Sequence, residues 1–248
     1  MKRLKPPASP TTAVHGMDDD PVVQGLLVTI SQKRLRPGAK LGEDRLAEAF
    51  GTTRIHIRQA LAHLASRHVV TQIPNRGAFI HTPTWEEAQA IFAARRIIEA
   101  AAVEAAIDRL DDRAIEALNA HAAREAADSK NDRWSSLALT ADFHVLIAEL
   151  SGNPVLLEIA RGLILRTSLA IATFETPGSH DCSPEAHPDI ADLIIARDKV
   201  GALAALSHHL GEMEARIRPA GAVADPNDIG AILKDVGIKP MRRRQSHV

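Results

Sequence analysis

Punctuation in the first third of the chain leaves it little freedom. Arg36-Pro37-Gly38, Gly51, Thr52-Thr53, Pro74-Asn75-Arg76-Gly77 and Pro83 each stop or turn the backbone, so what lies between them must be short. Ahead of the first stop, Val23, Leu26, Leu27 and Ile30 recur at helical spacing and predict helix one. Glu43 to Phe50 places Leu46, Ala47 and Phe50 on one face and meets Gly51 where a left-handed C-cap belongs. Thr52 or Thr53 can cap a third helix whose buried stripe is Ile57, Ala60, Leu61 and Leu64, with Arg54, Arg58 and Gln59 off it. Val69 to Ile73 and Ala78 to His81 are short and flank the Pro74 turn, which predicts a two-stranded hairpin. Helix, tight turn, helix and hairpin make residues 21–82 a winged helix-turn-helix.

Beyond Pro83 the period changes to that of helices. Segments of about Glu86–Leu110, Asp111–Asp128, Trp134–Leu150, Val155–Phe174, a stretch opened by Ser183-Pro184 and reaching Lys199, and Gly201–Arg218 predict at least six helices on short loops. Residues 83–222 therefore read as an all-α antiparallel bundle, giving a mainly α chain of two domains. Residues 1–20, with Pro6, Pro7, Pro10 and then Asp18 to Asp20, predict a flexible arm, and residues 223–248 a flexible basic tail that contains Arg242 to Arg244. Cys182 is the only cysteine, which excludes an intrachain disulfide and a thiolate metal cluster and fits a reducing cytoplasm. No stretch is long and apolar enough to span a bilayer, and the N-terminus lacks the apolar block of a signal peptide. Aromatic residues are 3% of the chain, with no tyrosine, which argues against stacking single-stranded bases.

A formal net charge of −1 conceals an uneven distribution. Residues 21–82 hold nine Lys/Arg against three Asp/Glu, whereas residues 83–222 hold thirteen against twenty-two. A basic module followed by an acidic one predicts that the first meets a polyanion.

Four blocks in order carry a resemblance: Leu35-Arg36-Pro37-Gly38, Leu46-Ala47 with Phe50-Gly51, Thr53 to Leu64, and Pro74-Asn75-Arg76-Gly77-Ala78-Phe79. Together they resemble the DNA-binding domain of GntR-family bacterial transcription regulators. Arg95 with Glu99, Phe143-His144, Ser151-Gly152-Asn153, His187 with Ile190, and His209 placed 22 residues after His187 make the second half similar to the helical effector-binding (FCD) domain of the FadR-type subfamily. The chain departs from the pattern at Thr53 (commonly Ser), His56 (Pro), Gln59 (Glu) and His68 (Gly).

A recognition helix enters the major groove N-terminus first, which directs attention to Thr53, Arg54, His56 and Arg58. Arginine offers two donors to guanine, while threonine and helix N-terminal amides suit phosphate. Arg76 and Gly77 at the wing tip are placed for the minor groove, and Lys33, Arg34, Lys40 and Arg67 for phosphate. Asp44 occupies a place where some relatives direct an arginine to DNA, with Arg45 next to it. One unit reads a half-site, so a homodimer on a pseudo-palindromic double-stranded operator is expected.

In the second half, the resemblance implies a divalent metal, such as zinc, nickel, iron or manganese, on His144, His187 and His209. The place four residues before His144, an Asp or Asn in the family, is Thr140 here. Asp142 is about 200° around the helix from His144 and should face away. The set is then three histidines plus solvent, or core histidines without metal, which is the usual state of a histidine beside an apolar face. His208 lies about 100° from His209 and reads as a bystander. Arg95 falls on an apolar stripe and needs an anion, either Glu99 one turn on or, as the resemblance implies, the carboxylate of an organic acid. Thr140 and Asn153 join Arg95 as candidate effector contacts, with loop capping the other role open to Asn153. The function expected is an effector-controlled transcription regulator, usually a repressor, and not an enzyme. The alternatives are a DNA-binding protein with no effector and a metal-dependent hydrolase, which lacks a general-base carboxylate at a motif spacing.

Overall fold

The computed structural model describes residues 17, 19–31, 34–128, 133–175 and 186–219. The expected arm apart from its last residues, Lys33, Cys182, the Ser183-Pro184 start and the tail from 223 lie outside them. The winged unit begins with α1 (Pro21–Ser31), whose entry is capped by Asp20 Oδ1, 2.9 Å from Val22 N and 3.2 Å from Val23 N. The two-residue strand β1 (Lys40–Leu41) leads into α2 (Glu43–Phe50) and α3 (Arg54–Ser66). Gly51 ends α2 in the left-handed region at φ 62°, and its N–H bonds back to the last turn. A side chain there would meet nothing within 4 Å, so the preference for glycine is one of backbone conformation alone. Strands β2 (Val70–Ile73) and β3 (Gly77–Ile80) form the hairpin, with Asn75 and Gly77 at positive φ in its turn.

The sheet has three strands, not two, in the order β1-β3-β2 and antiparallel throughout. Lys40 pairs with Phe79 and Leu41 with Ala78, because the Pro37-Gly38 turn returns the chain to the edge of the wing. Val23, Leu26 and Ile30 of α1 pack with Ile57, Leu61 and Leu64 of α3 and with Val70 and Ile80 of the sheet. Every predicted stripe residue of α3 is buried.

The second half contains α4 (Trp85–Asp108), α5 (Asp112–Asp128), α6 (Arg133–Leu150), α7 (Pro154–Phe174), α8 (Ala186–Ile195) and α9 (Lys199–Ala215). Thr84 and Glu87 form a reciprocal capping box at the start of α4. That helix is enclosed by α6, α7, α8 and α9, so Ala88, Ile91, Phe92, Ala102, Val103, Ala106 and Ile107 are all buried. Carbonyls at and just beyond its C-terminus are taken up from a distance: Arg197 donates to Ile107 O at 2.9 Å and to Leu110 O at 2.7 Å. Arg197 sits at φ 57° in a break between α8 and α9, which ends the fifth helix of the bundle at Ile195 rather than near Lys199. The two halves meet on α7, where Leu165 and Leu169 pack into the core of the winged unit. No described helix is long and apolar enough to cross a membrane.

Candidate nucleic-acid interface and metal centre

Arg54 and Arg58 occupy the first and second turns of α3, one turn apart on the solvent side, and their side chains are 56% and 60% exposed. Both lean on acidic residues of α2. Arg54 pairs with Asp44 at 3.1 Å and Glu43 at 3.7 Å, and Arg58 donates to Glu43 at 2.7 Å. Exposed ion pairs of this kind are worth little in water, so a phosphate or guanine acceptor can compete for the same donors. Thr53 caps α3, its hydroxyl accepting from His56 N at 3.2 Å. Arg45 is exposed on α2, and Arg76 and Gly77 are exposed at the wing tip, where Arg76 lies 5.8 Å from the Phe79 ring.

Two of the expected side chains are engaged within the protein. His56 Nε2 bonds Asp20 Oδ2 at 2.6 Å and its Nδ1 bonds Thr52 Oγ1 at 2.9 Å. It ties the start of α3 to the start of α1. Burial raises the pKa of Asp20, but the bonds from His56, Val23 and Val22 outweigh it and hold the carboxyl below its usual value. Arg67 is half-buried and turned away from the α3 face, lining a cleft of about 900 Å³ between α1 and the α6–α7 pair. That cleft reaches His121 and Arg124, and none of the three candidate metal histidines lines it.

Those histidines come from three helices, His144 on α6, His187 on α8 and His209 on α9, and all are buried. Their rings converge through Nε2: His187 lies 3.1 Å from His209, and His209 3.3 Å from His144. Behind them, His144 Nδ1 is 2.7 Å from Glu99 Oε2 and His187 Nδ1 is 2.7 Å from Glu125 Oε1. An ionised carboxylate only accepts, so each Nδ1 carries the proton and leaves Nε2 of a neutral ring as a lone pair. Burial lowers the pKa of His144 to about 4, and burial with neighbouring positive charge lowers that of His209 to about 2, which keeps both neutral near pH 7. Even if His209 Nε2 bears a proton, it can serve only one of its two neighbours. At least one lone pair therefore faces another ring nitrogen with nothing between, a conflict that a cation removes.

The donor set fits a divalent ion. Nitrogens bound tetrahedrally at about 2.0–2.1 Å stand about 3.3 Å apart, close to the two separations observed. Glu99 and Glu125 then occupy the outer positions that fix ring orientation and raise ligand basicity. Thr140 is half-buried one turn before His144 and brings no carboxylate to that side. Asp142 is exposed, as expected of its place on α6, and His208 is exposed and paired with Glu212 at 3.5 Å. Asn153 is also exposed, and its Oδ1 accepts from Val155 N at 3.0 Å and Leu156 N at 3.3 Å, so of its two open roles the structure gives it the helix cap.

Arg95 meets the nearer of its two expected anions. Its Nε donates to Glu99, both side chains being almost wholly buried, while Nη2 is buried with no partner. The guanidinium is near enough to His144 and His209 to lower their pKa values. Glu125 adjoins His187 and His121 adjoins Glu125, and neither was expected from the sequence. His121 stands one turn before Glu125 on α5, 3.5 Å from it, and an i,i+4 His-Glu pair was the available signal.

A winged helix-turn-helix whose third helix exposes arginines, joined to a helical bundle with a buried polar centre, defines a DNA-binding transcription regulator. The chain belongs to the GntR family: the profile of the bacterial regulatory proteins of that family matches residues 20–80, and that of the FCD domain matches residues 90–212. It is 33% identical over 214 residues to a protein of Escherichia coli (strain K12) named for regulation of the L-lactate dehydrogenase operon, covering 77% of this chain and 83% of that one. It is 27% identical to the Nta operon transcriptional regulator of Aminobacter aminovorans, covering 77% and 90%. Among solved structures, Escherichia coli McbR/YncC superposes with a TM-score of 0.70 at 23% identity over 78% of this chain and 93% of that one. A GntR regulator from Rhodococcus sp. RHA1 superposes with a TM-score of 0.66 at 24% identity, covering 78% and 94%. The protein is accordingly a transcription regulator rather than an enzyme, which sets aside the hydrolase alternative.

Proposed function

We propose that the protein is a homodimeric repressor of a pseudo-palindromic operator, released or tightened by a small organic acid bound beside a divalent metal in the helical domain. The observation that carries the effector half is the orphan Nη2 of Arg95, a buried donor next to three converging imidazoles. A buried unpaired guanidinium nitrogen is costly to fold around, and a carboxylate arriving there restores its missing bond. His144, His187 and His209 would hold the metal, which supplies a positive charge for the second carboxylate oxygen when bound. Glu99 orients His144 and Arg95 together, so the anion and the metal ligands share one support.

On the DNA side, the reading places α3 in the major groove with Arg54 and Arg58 toward base edges, Arg45 and Thr53 near the backbone, and Arg76 with Gly77 at the minor groove. Effector control then needs only different effector affinities in two dimer arrangements, typically about 1–3 kcal/mol of coupling. The experiment combines metal analysis of purified protein, thermal shifts over a panel of organic acids, and gel shifts with the intergenic DNA beside its own coding region. Metal near one per subunit, an acid that raises the melting temperature only in metal-loaded protein, and altered operator affinity with that acid are the expected results. Absence of metal together with no response to any acid favours the effector-free regulator.

A further inference from the structure

Ile55 is 69% exposed at the second residue of α3, while Ile57 on the opposite side of the helix is fully buried. The exposure is therefore not a lapse of the helical pattern: a position two residues from a buried one lies about 200° around and faces outward. It shares that outward face with Arg58 and Gln59, three and four residues on, and adjoins Arg54. Its backbone is held still from both sides. Thr53 caps the turn beneath it, and His56, the next residue, is fixed at both ring nitrogens by Thr52 and Asp20. A β-branched side chain in a helix has essentially one χ1 state, so Ile55 presents a rigid apolar tip with little entropy to lose on binding.

An isoleucine cannot hydrogen-bond a base edge, and the apolar group displayed in the major groove is the C5 methyl of thymine. We propose that Ile55 is a specificity-determining residue that packs on a thymine methyl in each half-site, beside the base read by Arg54 or Arg58. The assignment rests on the placement of α3 in the major groove given above.

The test starts from a duplex selected out of a randomised library by the full-length protein. Each thymine of a half-site is replaced singly by deoxyuridine, which deletes only the methyl, and affinities are measured for the wild type and for Ile55→Ala. At one thymine per half-site, deoxyuridine is expected to weaken the wild type about fourfold, the factor equivalent to about 0.8 kcal/mol for one buried methyl, and to leave Ile55→Ala unchanged. Ile55→Ala is expected to melt as the wild type does, since its side chain stands in solvent. A selected half-site without thymine, or no thymine whose effect differs between the two proteins by more than about twofold, the scatter of uncoupled sites, overturns the assignment. Arg54→Ala and Arg58→Ala on the same duplex separate the two layers. If they lose affinity while no thymine couples to Ile55, only this inference fails. If they bind as the wild type does, the placement of α3 fails with it.

Discussion

Replacing Glu99 by glutamine removes the negative charge from the buried Arg95–Glu99–His144 group while keeping its shape. Arg95 and Glu99 are 1% and 3% exposed, so solvent cannot take over the lost partner. Breaking a buried ion pair from one side costs about 3–5 kcal/mol, because the remaining charge is left without compensation. Arg95 already carries one orphan nitrogen, which places Glu99→Gln toward the upper end. At about 2–4 °C per kcal/mol for a chain of this size, the melting midpoint of chelator-treated protein should fall by on the order of 10 °C. Urea denaturation followed by circular dichroism reads the same loss directly. The double variant Arg95→Met with Glu99→Gln should recover most of it, since no charge is then stranded. A loss below about 1 kcal/mol for the single variant would refute the reasoning, because Arg95 must then have another anion. Metal affinity supplies an independent check: loosening the support of His144 should weaken it about 10- to 100-fold.

Arg54→Ala and Arg58→Ala should each cost about 1–3 kcal/mol of specific DNA binding, measured by titration of a labelled operator, and unchanged affinity in both would discard the α3 placement. Gly51→Ala meets no steric obstacle and should cost about 1–2 kcal/mol from the left-handed backbone alone, seen as a lower urea midpoint at constant slope. Burial raises the pKa of Glu125, but the His121 imidazole 3.5 Å away and the hydrogen bond from His187 outweigh it and bring it to about 2. A depressed carboxyl stabilises the fold above its unfolded value near 4.3 and loses that contribution as pH falls toward 2, so Glu125→Gln should flatten stability over that window. His209→Ala should abolish stoichiometric metal uptake while leaving the winged unit's DNA contacts intact, checked by metal analysis and gel shift on one preparation.

The winged unit was legible because its information is local. Gly51, Thr53 and the Pro74 turn each act on their own few residues, and the stripe of α3 needs no partner to be recognised. What was hidden depended on distant pairing. Strand β1 is two residues long and exists only because Phe79 and Ala78 lie beside it. The clasp on His56 comes from Asp20, 36 residues earlier, and the support of His187 from Glu125, 62 residues earlier. For Arg95 the local reading gave two partners of different kinds, and packing retained Glu99 while leaving a second donor open. The interior of α4 was legible only in part, since a helix enclosed by four neighbours buries residues around most of its girth, beyond the apolar stripe on which Arg95 falls.

Helix α7 belongs to two cores at once. Leu165 and Leu169 are gripped by the winged unit, while Ala160, Ile164 and Ala170 of the same helix are gripped by the bundle. Such a shared rod makes the reading head a rigid extension of the bundle rather than a tethered weight. Were that one rod to roll or slide, Leu165 and Leu169 would carry the motion to the reading head, and two heads in a dimer would change their separation.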